Sequence, residues 1–212
     1  LGYDIRDEIN QFDAKDYAGK YYVQCDVNFD QVASLLAKGD IVAVVRGRAE
    51  FGARALGNRS ILANPSRRET VQQINEAIKN RDFWMPFALS ILEEKLDEYI
   101  FNPKKLQSPF MAISLDVRPE MISKIEAGTH SYDKTVRPQA VSSKEAPEYY
   151  ALISAFQRVT GIPALLNTSF NLHGEPIVDT IADAIRTFEL SGLDHLLIDD
   201  RILFSKNEYR TN

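Results

Sequence analysis

Apolar positions along the chain fall into short runs, and their spacing switches between helical and extended periods. From Asp30 to Lys38, Val32, Leu35 and Leu36 share one side of a helix that Gly39 closes. Ile41 to Val45 is an unbroken apolar run, the pattern of a buried strand. Pro65 to Glu69 starts a helix, because Ser66 and Glu69 have capping-box spacing; Val71, Ile74 and Ile78 mark its buried face, and it ends near Lys79-Asn80-Arg81. Phe83 to Leu92, with Trp84, Pro86 and Phe87, reads as extended and largely buried. Ser90 and Glu93 again have cap spacing, and Leu92, Leu96 and Ile100 continue a helix. Met111 to Val117 alternates as a half-buried strand does, and Gly128 to Gln139 is polar, with His130, Asp133 and Arg137. Tyr149 to Val159 is helical and stops at Gly161 and Pro163. Ala164 to Leu166 is a short strand running into the polar loop Asn167-Thr168-Ser169-Phe170-Asn171. Thr180 with Asp183 opens a helix that Gly192 ends, and Leu196–Ile198 with Ile202–Phe204 forms a closing hairpin. Leu1 to Tyr22 is polar, acidic and weakly periodic, and is expected to be an arm or linker without chemistry. Interleaved strands and helices place the chain in the α/β class.

In open α/β sheets, ligands bind outside the carboxyl ends of strands. The strand ending at Val45 runs into just such a candidate: four arginines and three glycines fall between Arg46 and Arg59. Glycine lets the backbone turn and approach a ligand, and the arginine fork matches phosphate and carboxylate. On composition alone, a solvated arginine-rich loop explains the stretch equally well.

Net charge is −5 over 212 residues, which argues against general nucleic-acid binding. The distribution is uneven: Arg46 to Asp82 holds eight basic and four acidic residues, while the rest holds 17 and 26. A positive island in an acidic chain suits a small anionic ligand. Hydrophobic residues at 44% suffice for a core of one large domain. No run approaches the ~18 apolar residues of a membrane span and no signal peptide opens the chain, so no membrane association is expected and a cytoplasmic location is. Cys25 stands alone, which fits a reducing compartment. With Leu1 rather than Met at its start, the chain is expected to be a trimmed or excised piece.

His130, His173 and His195 lie far apart without ligand spacing, so no metal site built by the protein is expected; His173 and His195 read as surface or structural residues. The Gly-Lys-Ser/Thr phosphate loop and the dinucleotide fingerprint are absent. What remains is a set of cations, Arg48, Arg54, Arg59, Lys79, Arg81 and Arg137, with Ser169 and Asn171. Such a set suits phosphoryl or nucleotidyl transfer, where the protein positions polyphosphate and neutralises developing charge. Two cations at a helix end, Lys79 and Arg81, also complement the helix dipole, and spacing does not separate the two roles.

Gly47-Arg-Ala-Glu-Phe-Gly-Ala-Arg-Ala-Leu-Gly-Asn-Arg-Ser60, Met85-Pro-Phe-Ala88 and Asn167-Thr-Ser-Phe-Asn171 through Gly174-Glu-Pro176 resemble, in order, motifs of the C-terminal domain of NodU/TobZ-type O-carbamoyltransferases. The resemblance runs from about Gly39 to the C-terminus and implies that residues 23–212 form a YrdC-like domain, a twisted mixed sheet flanked by helices, following the arm 1–22. It implies that Lys79-Asn80-Arg81 and Ser169-Phe170-Asn171 are the Lys-x-Arg and Ser-x-Asn elements of a nucleotide site. The implied reaction is attack of carbamate, made from carbamoyl phosphate, on the α-phosphate of ATP with Mg²⁺, giving carbamoyl-adenylate and pyrophosphate. Lys79, Arg54 and Arg137 would be catalytic; Arg54, Lys79 and Arg81 would hold phosphates and the carbamoyl carboxylate, Arg137 the carbamoyl or phosphate end, and Ser169 and Asn171 the adenylate, with Arg48 and Arg59 also in the binding set. Arg48 and Glu50 are expected to pair and hold the loop in shape. An N-terminal actin-like domain, in cis or in trans, would pass the carbamoyl group to an acceptor hydroxyl.

The chain departs from the family pattern at Ala49, Ala53, Met85 and Leu89, where Met, Pro, Arg and Pro are usual, and the usual His-x-Asp-Gly-Thr appears as His130-Ser131-Tyr132-Asp133-Lys134-Thr135. Three other readings stay open at the level of sequence: a regulatory module that binds ATP without turnover, a threonylcarbamoyl-adenylate synthase for tRNA modification, and a module whose arginine loop docks an acidic protein.

Overall fold

The computed structural model describes residues 2–79 and 86–206. Among them the strands are β1 Tyr22–Gln24, β2 Val42–Val45, β3 Arg59–Ala63, β4 Ala88–Leu92, β5 Ile100–Phe101, β6 Leu115–Val117, β7 Thr135–Val136, β8 Pro138–Val141, β9 Ala164–Ser169, β10 His195–Ile198 and β11 Ile202–Ser205. The α-helices are α1 Arg6–Ile9, α2 Phe29–Lys38, α3 Glu69–Ile74, α4 Leu96–Tyr99, α5 Pro147–Thr160 and α6 Ile181–Leu190. Eight strands form one mixed sheet in the order β1-β11-β10-β2-β3-β9-β4-β8, and β5-β6-β7 form a small antiparallel one. In the large sheet β10 with β2 and β4 with β8 are parallel, and the other neighbours are antiparallel.

Strand alternation divides the interior in two. Val42, Val44, Leu62 and Leu165 join α2 and α5 residues, among them Leu36, Leu152 and Phe156, in one core. Ala43, Val45, Ile61 and Leu166 turn the other way, towards Ile181, Ile185 and Phe188 of α6 and Ile74 and Ile78. Both faces of the sheet are covered, which is why its central strands read as continuous apolar runs.

Several elements stand where the apolar pattern places them. Helix α2 has a capping box from Asn28 and Gln31, and Gly39 closes it at φ 105°. Helix α5 ends at Gly161 (φ 75°), and Thr180 caps α6 reciprocally with Asp183. Strands β10 and β11 form the closing hairpin. Other signals were spent differently. Ser66 turns its N–H (3.0 Å) and its hydroxyl (2.8 Å) back to Asn64 Oδ1, and α3 starts later, at Glu69 behind Arg68, without a side-chain cap. Ser90 is buried inside β4 and donates to Gln139 Oε1, so only a 3-10 turn (Glu93–Lys95) and the four-residue α4 come next, and Ile100 begins β5. The alternation from Met111 yields only the three-residue β6. The polar segment after Gly128 contains β7 and β8, and Asn167 to Ser169 belong to β9 rather than to a loop. Helix α6 ends at Leu190 with Ser191 as its C-cap, ahead of Gly192.

The first 22 residues are not a solvated linker. Ile5, Ala14 and Tyr21 are buried in the α6-side core, Ile5 N–H donates to the Gly47 carbonyl, and Glu8 accepts from the N–H of Ile181. The polar pattern hid this because only a few apolar anchors hold the segment.

Candidate active site

Strand register gathers the expected residues at one end of the large sheet. Val45 pairs with Arg59, Ser60 with Ser169, Ala88 with Asn167 and Leu89 with Pro138. The loop from Arg46 to Asn58, the Ser169–Asn171 segment and Arg137 therefore leave the sheet at the same edge, at the carboxyl ends of β2 and β9.

At the base of the arginine loop, Arg59 is fully buried. Its Nη1 donates to the carbonyls of Arg46 (2.7 Å) and Asn58 (3.0 Å), and its Nη2 to those of Asp179 (3.0 Å), Tyr3 and Gly47 (both 3.3 Å). Nε also donates to Asp179 O at 3.1 Å. Burial lowers its pKa, opposed by Glu50 and Asp179. The expectation of Arg59 as a phosphate contact gives way to a structural role, since its donors are taken up by backbone carbonyls. Glu50 does the complementary work: its Oε1 accepts from the N–H groups of Leu56 (2.6 Å), Asn58 (2.8 Å) and Arg59 (3.4 Å). Arg48 does not pair with Glu50; it donates to Gly2 O at 3.0 Å and lies 3.4 Å from Asp4.

A buried amide network holds the last part of the loop. Asn167 Nδ2 donates to the Ala55 carbonyl (3.2 Å) and to Ser90 Oγ (3.0 Å), and Gln139 Nε2 to the Leu56 carbonyl (2.8 Å). Gly57 sits at φ 120° against the ring of Tyr149, where a Cβ would lie 2.4 Å from Cδ1; only glycine fits. Between these anchors the tip is open: Arg54 is exposed and Phe51 is 90% exposed.

Across the rim, α3 passes into a π-helical turn, Asn75–Lys79. Such turns break the regular ladder and recur at functional sites. Lys79 is 1% exposed. Its Nζ reaches Asn171 Oδ1 at 2.6 Å, Ser169 Oγ at 3.1 Å and the Asn171 carbonyl at 3.3 Å, and Ser169 Oγ donates to Asn171 Oδ1 at 2.7 Å. Asn171 Nδ2 is fixed in turn by the carbonyls of Leu172 and Glu175. The His173 ring lies 2.7 Å from the Lys79 carbonyl, so the segment 169–173 grips Lys79 at both ends. The ammonium thus points to the strand end rather than serving the helix dipole.

Arg137 is half-buried and lines a cavity of about 280 Å³ with Phe87, Ser114, His130, Asp133 and Thr135. Asp133 Oδ1 joins His130 Nδ1 (3.0 Å) to the Thr135 hydroxyl (2.8 Å) and N–H (3.0 Å), and the Thr135 bonds hold its pKa down. Lys134, standing where the family pattern has Gly, takes φ 58°, a left-handed conformation that glycine adopts without strain.

Of the expected set, Lys79, Ser169 and Asn171 are in direct contact, Arg137 and the loop bearing Arg54 leave the same end of the sheet, and Arg48 is tied to the N-terminal segment. Arg81 and Met85 lie outside the described residues. Sequence reasoning missed the anchoring by Asn167, Gln139 and Ser90 and the contact of His173; only its mention of Asn167 in a polar loop hinted at any of them. No group of three or more His, Cys, Asp or Glu able to hold a metal occurs among the described residues.

The architecture is that of the YrdC/Sua5-like class. It superposes on E. coli YciO with a TM-score of 0.55 at 16% identity, covering 81% of this chain and 76% of that one. It matches a P. abyssi Sua5 variant with a TM-score of 0.54 at 17% identity over 82% and 48% of the two chains. HypF, solved in a phosphate- and nucleotide-bound form, matches with a TM-score of 0.54 at 15% identity over 84% and 24%. Within that class, residues 33–206 match the family model described as carbamoyltransferase C-terminus, and the chain belongs to that family. It is 46% identical over 167 residues to nodulation protein NolO of Bradyrhizobium diazoefficiens, covering 78% of this chain and 30% of the relative. It is 42% identical over 181 residues to NolNO of Sinorhizobium fredii (85% and 26%) and 35% over 171 residues to the 3'-hydroxymethylcephem-O-carbamoyltransferase of Amycolatopsis lactamdurans (81% and 32%). The chain thus spans about a quarter to a third of the length of these relatives.

Proposed function

We propose that the chain is the ATP-using part of an O-carbamoyltransferase, forming carbamoyl-adenylate. The observation that carries this reading is the buried Lys79 ammonium held among Ser169 and Asn171 at the strand end, the same end of the sheet from which Arg137 and the loop bearing Arg54 leave. Family membership and the likeness to a cephem O-carbamoyltransferase support the carbamoyl chemistry, and the nucleotide-bound HypF of the same fold supports ATP.

In this reading a carbamate oxygen attacks the α-phosphorus of ATP, the bond to the β-phosphate oxygen breaks, and pyrophosphate leaves. A phosphate oxygen takes the place of Ser169 Oγ among the acceptors of Lys79. Arg54 and Arg137 neutralise charge that develops on the leaving group. Mg²⁺ would be carried mainly by the phosphates, as is usual for that ion. Transfer to an acceptor hydroxyl belongs to an actin-like domain, in cis or in trans.

The test is carbamate-dependent exchange of labelled pyrophosphate into ATP by the purified chain. Exchange that Lys79→Ala reduces by about 10²-fold or more supports the reading. Exchange that needs threonine as well as bicarbonate would transfer it to threonylcarbamate, and absence of ATP binding would end it.

A further inference from the structure

At the same end of the sheet, on the α5 side, lies a cavity of about 440 Å³ that Lys79, Ser169, Asn171 and Arg137 do not line. Side-chain alternation creates it. Val42 and Val44 face the α2–α5 core, so Arg46, two residues on, leaves β2 on that side, and its guanidinium lies 5.6 Å from the ring centroid of Tyr149 on the first turn of α5.

Arg46 is 4% exposed, yet its Nε, Nη1 and Nη2 have no hydrogen-bond partner. Nη2 is 3.1 Å from Asp200 Oδ1, but off the line of its N–H bonds, and that oxygen too is without a hydrogen bond. Buried polar groups in native proteins are nearly always satisfied, so a guanidinium whose three nitrogens make no hydrogen bond, and whose ion-pair partner is Asp200, leaves N–H groups at the cavity for a further acceptor.

Two further features converge there. Helix α5 begins at Pro147 after Ala146, which offers no capping side chain, and its first turn lines the cavity. Pro147 has no N–H, and the first-turn N–H groups of Glu148 and Tyr149 have no intrahelical acceptor and favour an anion. Opposite, Asp199 and Asp200 are the two left-handed central residues of the turn in the β10–β11 hairpin, at φ 48° and 58° and closed by Arg201 N–H to Ile198 O, which places the Asp200 carboxylate beside Arg46. Burial pushes the Asp200 carboxyl up, despite Arg46.

The remaining charges at the mouth are spoken for: Arg6 and Arg48 by Asp4, and Arg201 by Asp199. Glu145 and Glu148 are exposed there. At the deep end Arg46 and the α5 N-terminus face the Asp200 carboxylate, with the negative charges of Asp199 and Glu148 acting on it from nearby.

We propose that this cavity binds a small oxyanion of the phosphate class, at a site separate from that of Lys79. The ligand's oxygens take the unbonded nitrogens of Arg46 and the first-turn N–H groups of α5, and displace the Asp200 carboxylate.

Calorimetric titration of the full chain with inorganic phosphate, at ionic strength held constant with chloride, tests this. Wild type binds with a Kd on the order of 1 mM or tighter. Lys79→Ala keeps that binding, Arg46→Gln weakens it about tenfold or more through lost charge-assisted bonds, and Asp200→Asn tightens it by removing the competing carboxylate. Absence of saturable binding, binding unchanged in Arg46→Gln, or binding lost in Lys79→Ala overturns the proposal. Circular dichroism reports whether Arg46→Gln is folded; where it is not, Asp200→Asn decides, and unchanged phosphate affinity there overturns the proposal.

Discussion

At the base of the loop between β2 and β3, Arg59 and Glu50 direct their polar atoms at the backbone, and Asn167 and Gln139 add two more contacts from neighbouring strands. At its tip, Phe51 and Arg54 stand in solvent. Two arginines five residues apart in one motif thus have opposite roles. One neutralises the partial charges of carbonyls that the turning chain would otherwise bury unpaired. The other is presented to whatever approaches the rim. The difference shows that an arginine-rich motif cannot be read as a uniform anion site, because part of its charge is consumed in shaping the loop.

The comparison breaks most severely at Arg59. Arg59→Ala leaves the carbonyls of Asp179, Arg46 and Gly47 without this donor, and urea unfolding is expected to show a loss of about 3–5 kcal/mol. Glu50→Gln keeps the shape but replaces the charged acceptor of three N–H groups; a loss of about 1–3 kcal/mol is expected in the same measurement. A loss below about 0.3 kcal/mol would show that the loop does not depend on the carboxylate.

Acid unfolding sharpens the contrast from the N-terminal side. The Arg6 guanidinium, with Arg48 adding to it, lowers the Asp4 carboxyl from 3.8 to about 2. A carboxylate with a depressed folded pKa contributes stability that is present above its unfolded pKa and lost as pH falls through the folded one. The Asp4 contribution is therefore full above about pH 4 and disappears towards pH 2, and Asp4→Asn flattens the stability profile over that window. A profile that this substitution leaves unchanged would show that the Asp4 pairing with Arg6 and Arg48 contributes nothing. The smallest effect on stability belongs to the tip: Arg54→Ala is expected to stay within about 0.5 kcal/mol of wild type while slowing the proposed pyrophosphate exchange. If exchange is untouched, Arg54 has no part in the reaction.

Residue order and period were enough for the elements that carry their own punctuation. Helix α2 with Gly39, α5 with Gly161, α6 with its Thr180–Asp183 box, and the β10–β11 hairpin are all readable because caps, left-handed glycines and two apolar runs act over a few residues. The same rules misled at Ser66 and Ser90. Each has a hydroxyl with cap spacing, but Asn64 and Gln139 offered closer acceptors, and the Gln139 contact joins residues 49 positions apart. A capping rule holds only while no other partner, two residues away as at Asn64 or distant as at Gln139, orients the same group.

The candidate site divides along the same line. The sequence by itself determined which residue types the rim would hold, since the arginine stretch, Lys79, Ser169 and Asn171 stand out by chemistry and by resemblance to a family. It also determined that a strand would deliver the arginine loop, because Ile41 to Val45 is apolar throughout. Only the tertiary structure decided where each charge points. The pairing of Val45 with Arg59 turns one guanidinium into the chain, alternation along β2 sends Arg46 to the α5 side, and the π-helical turn delivers Lys79 to Ser169 and Asn171. The reason is physical: a side chain's type is written at its own position, whereas its direction and its partners depend on strand register and on backbone groups brought from as far as 120 residues away, as between Arg59 and Asp179.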